Sequence, residues 1–344
     1  MADSTNIRLD RIMDEVYKDF YGTYPPNSPT FGGSSHESAD TNTGSAGAIE
    51  GDAPKTQAAT SGPGPAKKES EEEEAKKEPE KSGMEELNEL IGLEMVKADV
   101  KELINLVKVQ KMREDKGMKT VPVSLHLVFS GNPGTGKTTV ARILSKLYKE
   151  IGVLSKGQLV EVDRSGLVAG YVGQTAIKTQ KKIEEAKGGI LFIDEAYTLA
   201  KEGNDFGQEA IDTILKAMED NRKDLVVIVA GYTNLMENFI NSNPGLKSRF
   251  NKYIEFKDYS ADELIEIFDM QCRKYNYTLS PEAKETIEKV IRDREASKGA
   301  NFANARDVRN LFETIITNQA SRVAQMENPS EEDLITIVPA DIQQ

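Results

Sequence analysis

From Met84 onward, apolar residues follow two alternating rhythms, and their order predicts an architecture. Val96, Val100, Leu103, Ile104 and Val107 recur at three- and four-residue spacing and predict one buried face of a long helix, Glu94–Lys116. Short apolar runs follow at Leu125–Ser130, Gln158–Asp163, Ile190–Ile193, Leu225–Ala230 and Tyr253–Glu255. Helical segments lie between them, one starting at Lys137 and two others over Thr175–Ala186 and Gln208–Glu219. Strands apolar on both faces, alternating with helices, predict an α/β fold: a mostly parallel sheet with helices on both faces. From Ser260 the rhythm is helical only, over Ala261–Tyr275, Pro281–Arg294 and Ala305–Gln325, which predicts a small all-α domain. The expected boundaries are 84–258 for the α/β part and 259–344 for the helical domain with its tail.

The first 83 residues break this pattern. Between Gly32 and Gly83 the only large aliphatic residue is Ile49, and Phe, Tyr and Trp are absent. The run Glu69–Lys81 consists largely of glutamate and lysine. Such a segment cannot repay the entropy of ordering, so 1–83 is expected to be a disordered arm. One stretch near 6–20 differs. Ile7, Leu9, Ile12, Met13, Val16, Tyr17 and Phe20 have helical spacing and predict a short amphipathic helix with an acidic polar face.

Composition narrows the function classes. Acidic residues outnumber basic ones 57 to 44, a net charge of -13, so the chain has no general electrostatic reason to hold nucleic acid. No apolar run approaches the ~20 residues of a membrane span. Met1–Asp10 has neither the basic region nor the apolar core of a signal peptide. With one Cys and two His, there is little material for a disulfide, a Cys/His metal site or a Cys nucleophile. These features point to a soluble, cytoplasmic protein. His126, inside an apolar strand, reads as a satisfied core or edge histidine.

Chemistry concentrates at two motifs. Gly131-Asn132-Pro133-Gly134-Thr135-Gly136-Lys137-Thr138, with Thr139 next, fits the phosphate-loop pattern and sits where it must, between an apolar strand and a helix start. The glycines let successive backbone N–H groups turn toward phosphate, aided by the helix N-terminus. Lys137 would neutralise the β- and γ-phosphates of a nucleotide, and Thr138 would ligate Mg²⁺. Farther along, Ile190-Leu191-Phe192-Ile193-Asp194-Glu195 ends an apolar strand in two carboxylates. Asp194 is placed to hold the Mg²⁺, and Glu195 to polarise the attacking water.

Together with Ile91-Gly92 and Arg249, these motifs resemble the AAA+ ATPases, in particular the subgroup of stage V sporulation protein K and the red-type rubisco activases. The carrying stretches are 131–139, YVGQTA at 171–176, GGILFIDEAY at 188–197, 218–232, NPGLKSRF at 243–250 and FANARDVRN at 302–310. The resemblance covers Met84–Gln325 and nothing in the arm. It implies an α/β module plus a helical lid, assembled into a homo-oligomeric ring of six subunits that uses ATP and Mg²⁺.

The resemblance also assigns roles. Ile91 and Gly92 look like the segment that holds adenine. Arg249 looks like the arginine finger that reaches a neighbouring subunit's nucleotide, with Lys247 where a second arginine often stands. Arg306 looks like the lid's sensor arginine, with Arg309 the competing choice. Thr233 falls where the family usually has a sensor asparagine, and Asn234 is one residue late. Tyr171 and Val172, among glycines, resemble a pore loop that grips a protein client, and 201–208 is where a second such loop would lie. The competing reading of Tyr171 is a side chain packed under a loop. The implied function is a ring ATPase that remodels or threads a protein client. The alternatives are a DNA-linked loader or a nucleotide-dependent assembly switch.

Overall fold

The computed structural model describes residues 81–121, 123–171, 173–200, 206–299 and 302–342. The helix expected near 6–20, Val172 and most of the second expected pore loop lie outside these residues.

Two helices open the described part, α1 (Gly83–Glu89) and α2 (Glu94–Asp115). Ser82 caps α1 by accepting from the Glu85 N–H while the Glu85 carboxylate accepts from the Ser82 N–H. Strands β1 (Leu127–Gly131), β2 (Leu159–Val162), β3 (Ile190–Ile193), β4 (Val226–Gly231) and β5 (Lys252–Phe256) form one parallel sheet in the order β2-β3-β4-β1-β5. Helices α3 (Lys137–Glu150), α4 (Arg164–Leu167), α5 (Gln174–Ala186) and α6 (Gly207–Asp220) connect β1 through β4. Between β4 and β5 stand two helices that the apolar pattern did not announce, α7 (Thr233–Asn241) and α8 (Pro244–Arg249).

The central strands β1, β3 and β4 are buried on both faces, and β3 and β4 show it residue by residue. In β3, Ile190 and Phe192 join the core under α2 and α3, while Leu191 and Ile193 join the core under α5, α6 and α7. Val226, Ile228 and Ala230 of β4 face the first core, and Val227 and Val229 the second. Successive side chains point to opposite faces, so a strand covered on both sides must be apolar throughout.

The lid comprises α9 (Ala261–Lys274), α10 (Pro281–Ala296), α11 (Ala305–Val323), α12 (Glu331–Ile335) and α13 (Pro339–Ile342). Its core gathers Leu264, Phe268, Ile287, Ile291, Phe312, Ile337 and Ile342. The lid is not wholly helical as expected. Two-residue strands β6 (Thr278–Leu279) and β7 (Thr336–Ile337) pair in parallel. Two residues are too short to show an alternating period, so the helical rhythm around them hid the pair. Helix α13 packs against α11, where Asp341, buried, pairs with Arg322 at 2.8 Å.

Candidate nucleotide site

The phosphate loop runs from the C-terminal end of β1 into α3, at the sheet edge where open α/β folds bind ligands. Gly136 precedes α3 with φ 92, and no side chain caps the helix. The first N–H groups of α3 are therefore without a side-chain partner, and they are the groups that hold anions at a helix N-terminus. Lys137 Nζ folds back on the loop, donating to the carbonyls of Gly131 at 2.9 Å and Asn132 at 2.7 Å. Burial pushes its pKa down to about 8, with Arg306 adding to the fall and Asp194 and Asp258 opposing it. A lysine desolvated in this way and held by neutral carbonyls suits an anionic phosphate group.

Asp194 and Glu195 end β3 beside that loop. The Asp194 N–H donates to the Val162 carbonyl at 2.8 Å, which ties the acidic end of β3 to β2. Glu195 has φ 47, a left-handed backbone that a non-glycine residue seldom adopts. Its carbonyl accepts from the Thr198 N–H at 2.8 Å and the Thr198 hydroxyl at 2.7 Å, which hold that turn in place. Tyr197 lies next to it, its hydroxyl pKa pushed up to about 12 by partial burial and the Glu195 carboxylate.

The phosphate loop with Lys137, Asp194 and Glu195 faces one cleft of about 320 Å³, within the range of small-molecule sites (roughly 300–1,000 Å³). Its phosphate end carries Pro133, Gly134, Gly136, Lys137, Thr138, Thr139, Asp194 and Glu195. Its other wall is largely apolar: Leu90, Ile91 and Leu93, and from the lid Ile267 and Met270. Among the described residues no three His, Cys, Asp or Glu cluster as a metal site. Thr138 and Asp194 nonetheless offer the hard oxygens that Mg²⁺ takes, and the remaining ligands would be nucleotide phosphates and water.

The sequence relatives agree with the geometry. Residues 127–258 match the ATPase family associated with various cellular activities (AAA), and residues 260–344 match the AAA lid domain. Stage V sporulation protein K of Bacillus subtilis (strain 168) is 44% identical over 259 residues, covering 75% of this chain and 80% of that protein. Protein CbbX of Cereibacter sphaeroides is 46% identical over 246 residues, 71% of this chain and 79% of that one. The chloroplastic ribulose bisphosphate carboxylase/oxygenase activase of Cyanidioschyzon merolae is 41% identical over 260 residues, 74% and 87%. This chain belongs to the AAA ATPases. It binds ATP and hydrolyses it.

Within this AAA ATPase the expected residues divide into three groups. The first lines the cleft and comprises the loop residues above, Ile91, Asp194, Glu195, and both Arg306 and Arg309. The second is held in contacts of the loop and its surroundings rather than lining the cleft. Thr135 is buried and its hydroxyl donates to the Asn132 carbonyl at 2.8 Å. The Asn132 amide donates to Asp258 at 2.9 Å, and Gly92 lies against Glu263 with φ 58. The third stands outside the cleft. Arg249 lies 3.9 Å from Glu219, and Tyr171 is 73% exposed rather than packed under its loop.

Thr233 also falls outside the lining, where Gly231 and Tyr232 stand instead. The reason is local: β4 runs one residue past Ala230, Tyr232 stands at the N-cap position, and Thr233 is already the first residue of α7. The lid residues Ile267, Met270 and Gln271 also line the cleft, as does Tyr259 of the hinge, the segment 257–260 that joins β5 to α9. On a periodic lid helix Ile267 and Met270 are indistinguishable in sequence from ordinary apolar positions.

Proposed function

We propose that this AAA ATPase couples ATP hydrolysis to the remodelling of a protein client, as a cytoplasmic homo-oligomeric ring of six subunits. Lys137 and the α3 N-terminus hold the phosphates, Thr138 and Asp194 hold Mg²⁺, and Glu195 acts as the base toward water. Ile91 and Leu93 receive the base, and Arg306 or Arg309 contacts the phosphates from the lid. Tyr171, an exposed aromatic between Gly170 and Gly173, grips the client in the central pore. A relative named as an activase of another enzyme favours a protein client over DNA, as does the net charge of -13.

The observation that carries the ring is Arg249. It ends α8, stands outside its own cleft, and its nearest carboxylate, Glu219, is itself about half exposed. A catalytic arginine in that position serves a neighbour's nucleotide. The test mixes Arg249→Ala subunits with Lys137→Ala subunits, each inactive alone. Mixed rings in which an intact Lys137 site meets an intact Arg249 are expected to regain hydrolysis. Co-assembled mixtures as inactive as both parents would show that Arg249 does not act in trans.

A further inference from the structure

Asn304, the N-cap of α11, is buried where the lid meets the phosphate loop. An asparagine at this place ordinarily accepts from an N–H one turn into its own helix. Asn304 does not, and its backbone stands at φ 51 and ψ -126, a conformation that an L residue rarely adopts. Its side chain serves the other half of the molecule. Nδ2 donates to Asp258 Oδ1 at 2.9 Å and to the Pro133 carbonyl at 3.3 Å. Oδ1 accepts from the Tyr259 N–H at 3.0 Å. Asp258 also accepts from Asn132 Nδ2, at 2.9 and 3.1 Å, so one carboxylate joins loop, hinge and lid.

The backbone repeats the connection. The Ala305 N–H, first in α11, donates to the Gly134 carbonyl at 3.2 Å, so the phosphate loop caps the lid helix. A Cβ at Gly134, whose φ is 71, would stand 2.0 Å from the Ala303 carbonyl oxygen and 2.9 Å from the Arg306 nitrogen. The lid therefore requires glycine at 134 independently of any phosphate. Two residues after Asn304 comes Arg306, with Arg309 one turn farther, both lining the cleft.

We propose that Asn304 is a positioning residue for nucleotide binding: by joining Asp258, Tyr259 and Pro133 it sets Arg306 and Arg309 against the phosphate loop, so that loop and lid respond to nucleotide as one unit. The proposal rests on the reading that a lid arginine contacts the nucleotide. A carboxamide is suited to the place because it supplies two donors and an acceptor at once. Aspartate has the same shape, lacks both donors, and would set a second carboxylate against Asp258.

The test uses the full chain. Asn304→Asp is expected to raise the KM for ATP about tenfold or more, with KM carrying most of the loss in kcat/KM. Binding of fluorescent ADP should weaken in parallel, and hydrogen exchange at the Ala305 amide should quicken. Adding Asp258→Asn restores a donor–acceptor pair between 258 and 304 and is expected to return KM to within about threefold of wild type. A wild-type KM in Asn304→Asp, or a double variant no better than the single one, overturns the proposal. If Asn304→Asp does not fold, Asp258→Ala removes the same partner from the half-buried hinge and is expected to raise KM likewise. A wild-type KM there overturns the proposal too. Arg306→Ala and Arg309→Ala are measured alongside. If both keep the wild-type KM, the lid-arginine reading fails and the proposal with it. If either raises KM while Asn304→Asp does not, only the role of Asn304 fails.

Discussion

His126 Nδ1 accepts a hydrogen bond of 3.0 Å from the Val227 N–H, tying the approach to β1 to the start of β4. The ring is buried and meets Phe250 edge-on at 6.2 Å, next to Arg249. Burial first and the Arg249 charge second hold its pKa down at about 4, against an ordinary 6.5. The folded protein thus keeps this histidine neutral where the unfolded chain would protonate it. Its contribution is complete above pH 6.5 and is lost as pH falls from there toward 4, reaching on the order of 3 kcal/mol. Melting temperatures at pH 7.5 and pH 5 should therefore diverge more in wild type than in His126→Gln, which keeps an acceptor and cannot titrate. Equal pH dependence in the two proteins would show that His126 is not kept neutral by the fold.

Glu195 is exposed on the cleft in its left-handed turn, and its backbone carbonyl holds that turn. Glu195→Gln should accordingly leave the turn and ATP affinity intact while lowering kcat by about 10²–10⁴-fold, the usual contribution of a general base. Nucleotide titration and single-turnover hydrolysis on the same preparation separate the two effects. Hydrolysis near the wild-type rate would assign the base to another group.

What the sequence made legible follows from how strongly each element repeats. The runs Ile190–Ile193 and Leu225–Ala230 announced buried parallel strands, because every residue of such a strand meets a core on one side or the other. The glycines and Lys137 announced the phosphate loop because close approach of backbone to phosphate leaves little choice of residue type. Single-residue shifts were not legible. Moving the end of β4 from Ala230 to Gly231 puts Tyr232, not Thr233, on the cleft, and no periodic signal resolves one residue at a strand end. Asn304 was also hidden, since an asparagine before a helix reads as an ordinary cap until its side chain is seen turned toward the loop.

Tyr171 separates a remodelling ATPase from a nucleotide switch. A buried tyrosine cut back to alanine would cost roughly 3–5 kcal/mol. At 73% exposure, Tyr171→Ala should instead cost no more than about 0.5 kcal/mol, as surface substitutions do. Melting temperature and basal ATPase rate are therefore expected to stay near wild type, because the side chain lies outside the cleft. If the residue grips a client, stimulation of ATPase activity by that client and its remodelling should both be lost. A protein that keeps both without the Tyr171 side chain does not pull through it, and a switch driven by ATP occupancy would then be the better account. A drop in melting temperature and basal rate together would place Tyr171 in the packing of its own subunit or of a ring neighbour instead.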